Sequence, residues 1–137
     1  MLFHPKHRPV DWKVGEPNMK RLPWIYLAGP YTAPDPCENT HLACYLWRRL
    51  FSRYRGVAVV ICPHWSHFQH TMHPMPYEHW LDYGLDKIRL LSASPGVVFR
   101  MMGKSPGADE EVDLAKQLGI PVVRTERELA RVIEGMV

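Results

Sequence analysis

The chain has 137 residues, 46% of them hydrophobic, enough apolar material for one core and too little length for a second large domain. Its formal charge of +3 is spread along the chain rather than gathered in a block, which argues against a nucleic-acid polymer as partner and permits a small anionic ligand. Cys37, Cys44 and Cys62 lack both the pair spacing of a metal knuckle and the even number of a disulfide framework, and no run approaches the ~18 apolar residues of a membrane span. The expectation is a cytoplasmic protein away from membranes.

Residues 1–22 carry Pro5, Pro9 and Pro17 among basic residues without periodicity and read as an irregular arm ahead of a domain over residues 23–137. Trp24-Ile25-Tyr26-Leu27-Ala28 is a compact apolar run closed by Gly29-Pro30, the pattern of a strand and its turn. After a loop reaching Cys37, the stretch Glu38 to Tyr54 sets Leu42, Tyr45, Leu46 and Leu50 at helical spacing until Gly56. Val57 to Cys62 is continuously apolar and β-branched, as in a parallel strand covered on both faces. A loop from Pro63 to Pro76 holds four histidines, followed by a helix from Tyr77 to Leu91 whose apolar face is Trp80, Leu81, Leu85, Ile88 and Leu91. Gly96 to Arg100 is a third strand, Gly107 to Leu118 a helix ended by Gly119, Ile120 to Val123 a fourth strand, and Glu126 to about Glu134 a last helix.

Strands alternating with helices predict an α/β fold: one Rossmann-like, flavodoxin-like domain with a parallel sheet of four to five strands flanked by helices. Ligands of such sheets sit beyond the carboxyl ends of the strands. That brings three loops together, Gly29 to Cys37, Pro63 to Pro76 and Met101 to Gly107. The turn Ser105-Pro106-Gly107 delivers a helix N-terminus whose free amides suit an anion, with Glu111 in the first turns. A carboxylate there is expected to stay ionised, as a nucleophile requires, although acids also gather in first helical turns for dipole reasons alone. Asp86 reads as a site acid or as a solvated helix acid paired with Lys87 or Arg89, and Tyr26 as a core tyrosine whose hydroxyl needs a partner such as a carboxylate. His64, His67, His70 and His73 recur at every third position, which fits either hydrogen bonds to ligand hydroxyls or convergence on a metal.

These segments together resemble the nucleoside 2-deoxyribosyltransferase superfamily. The resemblance is carried by Tyr26-Leu27-Ala28-Gly29-Pro30-Tyr31-Thr32, Cys62-Pro63-His64-Trp65-Ser66-His67, Tyr77-Glu78-His79-Trp80-Leu81-Asp82-Tyr83, and Ser105 to Glu111 with Gly119-Ile120-Pro121-Val122 behind it. It implies cleavage or transfer at the N-glycosidic bond of a nucleoside or nucleotide by double displacement. Glu111 would be the nucleophile, Asp86 a sugar contact and Tyr26 the partner of the nucleophile. Gly29, Tyr31, Asn39, His64, His67, Ser105 and Gly107 would bind substrate, with no cofactor or metal, in a homodimer or higher homo-oligomer. The chain departs from nucleotide-hydrolysing relatives at Pro30 and Thr32, where those carry Ser and Arg, and at Ser94, where an aspartate is common. It also adds Asp109 and Glu110 beside the nucleophile, charges expected to raise its pKa and repel a phosphate. Those acids favour an uncharged nucleoside or a differently presented anion. Two rivals are a non-catalytic nucleotide-binding module on the same crevice and a metal-dependent hydrolase built on the histidine loop.

Overall fold

The computed structural model describes residues 21–137. The irregular arm read over residues 1–22 therefore lies outside the described residues except for its last two. Strands β1 (Trp24–Ala28), β2 (Val59–Ile61), β3 (Gly96–Arg100) and β4 (Val122–Val123) form one parallel sheet in the order β2-β1-β3-β4. Helices α1 (Pro36–Tyr54), α2 (Ser66–Met72), α3 (Tyr77–Leu91), α4 (Pro106–Gln117) and α5 (Glu126–Met136) connect and cover it, and Pro63–Trp65 forms a 3₁₀ turn before α2. This is the Rossmann-like α/β architecture, with four strands. Its order reverses between β1 and β3, the switch point where such sheets open a crevice.

The two-residue period of β1 divides the core. Ile25 and Leu27 face one side and pack with Ala43, Leu50, Leu129 and Ile133 of α1 and α5. Trp24, Tyr26 and Ala28 face the other side and pack with Ile88 of α3 and Ala108, Val112 and Ala115 of α4. All five β1 residues are buried, as a central strand requires. Tyr26 is thereby aimed at the α3–α4 layer and nowhere else.

Two local expectations need correction. The strand expected over 57–62 is shorter and lies at the sheet edge, where Val59 is 50% exposed. Trp47 of α1 stands over this edge and donates its indole N–H to the Val60 carbonyl at 3.0 Å, so a side chain occupies a position that a further strand would otherwise pair. The histidine stretch, expected as a loop, contains the 3₁₀ turn and α2. Pro63 at the first position of that turn has a φ suited to helix and no N–H to lose, so the residue expected to open a loop starts a helical segment.

Candidate active site

Three sequence-local devices set the floor of the site. Ser105 caps α4, its Oγ accepting the Ala108 amide at 3.1 Å, with Pro106 following at the first helical position. Gly103 precedes it at φ 111°, in the left-handed region, where a Cβ would also come within 2.8 Å of Pro30. Arg100, at the last position of β3 and 4% exposed, then fastens this turn. It donates to the carbonyls of Met101 and Gly103, the latter at 2.9 Å, and to Asp109 Oδ1 at 3.0 and 3.2 Å. The turn is thus tied to both the strand that delivers it and the helix that leaves it.

Glu111 stands one turn into α4 and meets Tyr26 from β1: the tyrosine hydroxyl donates to Glu111 Oε2. Gly84 of α3 closes the pair from the third side, since a Cβ there would lie 3.4 Å from both Glu111 Oε2 and Tyr26 Oη. Burial pushes the Glu111 carboxyl up to about 7, against the opposing pull of the Tyr26 hydroxyl, Lys87 and Arg100. Desolvation therefore overturns the expectation that this acid stays fully ionised. Nor do the neighbouring acids set that value: Asp109 turns away to Arg100, and neither it nor Glu110 lines the cavity. Tyr26 itself is held well above its ordinary range by burial and by the Glu111 charge.

Tyr26 and Glu111 form part of the wall of a cavity of about 580 Å³, within the ~300–1,000 Å³ usual for small-molecule sites. Gly29 and Tyr31 line it from the β1 loop, His64 and His70 from the histidine segment, Tyr77, Trp80 and Lys87 from α3, and Ser105 and Gly107 from the start of α4. A side chain at Gly107 would come within 2.4 Å of the Tyr77 hydroxyl, so its glycine lets that ring close the cavity. Glu111 is the one carboxylate of the lining among the described residues.

Not every residue read as part of the site reaches it. Asp86 does not line the cavity; its side chain is 71% exposed and pairs with Arg89 at 2.8 Å. Lys87, its neighbour and 100° further round α3, takes the inward position. Asn39 is spent on the loop, donating to the carbonyls of Tyr31 and Ala33 at 2.9 Å each. His67 lies behind Tyr31, its Nδ1 2.7 Å from the tyrosine hydroxyl and its Nε2 3.6 Å from Cys37 Sγ. His64 is 5% exposed, donates from Nε2 to the Pro30 carbonyl at 2.8 Å, and is made less basic by burial. His70 Nδ1 accepts from the Trp80 indole at 2.8 Å, joining α2 to α3 over the cavity. These histidines thus serve separate partners, and among the described residues no three His, Cys, Asp or Glu side chains gather as a metal would need.

Compared with protein-family models, curated proteins and solved structures, the chain matches none. Sequence reading passed over Lys87, which appeared only as a partner for Asp86, and Arg100, whose one available signal was a charge ending an otherwise apolar strand.

Proposed function

We propose that this protein cleaves or transfers at the N-glycosidic bond of a nucleoside or nucleotide, with Glu111 as nucleophile. The observation that carries the reading is the Tyr26–Glu111 hydrogen bond in the wall of a mainly apolar cavity at the switch point of the sheet. The tyrosine holds Oε2, and Oε1 accepts no hydrogen bond among the described residues, which leaves it available for attack. A carboxylate whose pKa is raised by burial is poorly solvated and is a stronger nucleophile than a carboxylate in water.

In the first step Oε1 bonds to the anomeric carbon as the carbon–nitrogen bond breaks. The electron pair of that bond leaves with the base, which takes up a proton from solvent. Water or a second base then attacks the same carbon and gives up a proton to solvent, the ester bond breaks, and Glu111 is regenerated as a carboxylate. Both steps pass through an oxocarbenium-like transition state, as in retaining glycosidases. Aromatic side chains at Tyr31, Tyr77 and Trp80 offer faces on which a nucleobase stacks.

The test is incubation with nucleosides, deoxynucleosides and their 5′-monophosphates, with and without free acceptor base, followed by chromatography of released base. Release is expected from at least one member and is expected to fall by at least about a thousandfold in Glu111→Gln. Binding of the same compounds with no release by the folded wild type would replace this reading with a non-catalytic nucleotide-binding module.

A further inference from the structure

Lys87 has no task in the reaction as written, and its position is unfavourable to it. It lies one turn beyond Gly84 on α3, the glycine that closes on Glu111 Oε2 and Tyr26 Oη, and it lines the same cavity. Its Nζ stands 4.4 Å from the centroid of the Tyr83 ring, a contact that orients an ammonium without neutralising it. Among the described residues neither Lys87 nor Lys104, the other lysine of the lining, forms an ion pair. Lys87 is partly buried, which makes its ammonium easier to deprotonate, and its charge acts on both Glu111 and His64. A partly desolvated cation that shares its field with Glu111 but pairs with no carboxylate among the described residues is costly. An oxocarbenium-like transition state beside Glu111 adds further positive charge to the same region. Both costs disappear if the ligand itself supplies an anion there. The acids that seemed to oppose one, Asp109 and Glu110, lie outside the cavity, leaving two lysines facing a single carboxylate.

We propose that Lys87 is a specificity residue that selects a nucleoside bearing an anionic substituent, pairing its ammonium with that anion beside the reacting carbon. A phosphoryl group is the first expectation, because its dianion adds the negative charge that two lysines facing one carboxylate leave unmatched. The inference rests on the glycosidic reading for the class of ligand, but anion pairing is a property of binding and is measurable without turnover.

The experiment is calorimetric titration of wild type, Glu111→Gln, and Lys87→Met and Lys87→Arg in each background. The probes are a nucleoside, its 5′-monophosphate, and a nucleoside with a carboxylate on its base. Wild type is expected to bind one anionic probe at least about tenfold more tightly than the neutral one, the worth of a charge-assisted hydrogen bond. That ratio should collapse toward one in Lys87→Met and survive in Lys87→Arg. Which anionic probe shows it tells whether the anion sits on sugar or base. Equal affinities for all three probes, or a preference that survives in Lys87→Met, would overturn the proposal. Anion-selective binding that depends on Lys87, without base release from any compound, would sink the glycosidic reading and leave this one standing.

Discussion

The cavity has two unlike walls. The β3–α4 side is built from buried and capped structure: Arg100 is 4% exposed with four hydrogen bonds to the turn and Asp109, Ser105 caps α4, and Ala108, Val112 and Ala115 are buried under the helix. Across from it, α2 has no side-chain cap and no buried residue, and it is held by hydrogen bonds such as those of His67 to Tyr31 and His70 to Trp80. Phe68 and Met72 on it are 63% and 67% exposed. Glu111 stands on the wall that cannot shift without breaking buried hydrogen bonds, and the aromatic side chains of Tyr31 and Trp80 stand near the one that can. Fixed geometry serves a reacting carboxylate, whereas local opening of weakly packed segments serves ligand entry.

Breaking the rigid wall should have the largest effect. Arg100→Ala orphans two carbonyls and leaves a void, so a loss of about 3 kcal/mol in urea unfolding is expected. An unchanged midpoint would mean that the turn holds its shape without the guanidinium.

Glu111→Gln probes the same wall through pH. The folded pKa, raised from 4.5 to about 7, means that the native chain holds its proton more firmly than the unfolded chain. The stability from that proton is complete below pH 4.5 and is lost as pH rises through about 7. The glutamine variant should therefore be more stable than wild type above pH 7, by as much as about 3 kcal/mol, with the advantage shrinking toward pH 4.5. Thermal unfolding across pH reads this directly, and a pH-independent difference would contradict the burial argument.

Tyr26→Phe removes a hydroxyl that pulls the Glu111 pKa down. The acid limb of activity should move to higher pH, and the maximal rate should fall by about 10- to 100-fold, in line with one lost charge-assisted hydrogen bond. A slower enzyme with an unmoved profile would make the tyrosine merely structural. Ser105→Ala, which removes the α4 cap, should cost about 1 kcal/mol. At the small end, Trp80→Phe deletes the donor to His70. Less than about 1 kcal/mol of stability is at stake there, since the site is partly exposed. The larger change is expected in KM, and a selective fall in kcat would show that the two walls are not divided in the way described.

Much of this organisation was legible in the chain. The apolar run of β1, the glycine and proline after it, and the Ser105-Pro106-Gly107 turn each carry a local physical signal, and the structure has a strand, a loop and a capped helix there. Side-chain direction within a helix was less readable. Asp86 and Lys87 are adjacent, and a rotation of ~100° per residue decides which one faces the cavity. Either choice fitted the apolar periodicity of α3, and only its packing on β1 and α4 selected Lys87. Likewise, Asn39 carries no sign in sequence that both its N–H groups are taken by the backbone of its own loop.

By itself the sequence determined the alternation of strands and helices, because hydrophobic period, caps and glycine turns act over a few residues and need no distant partner. Only the tertiary structure decided that β2 is an edge, that Tyr26 and Glu111 meet across 85 residues of chain, and that Glu111 titrates near 7. Those are properties of what surrounds a group, and desolvation and strand order exist only once the layers have closed on one another.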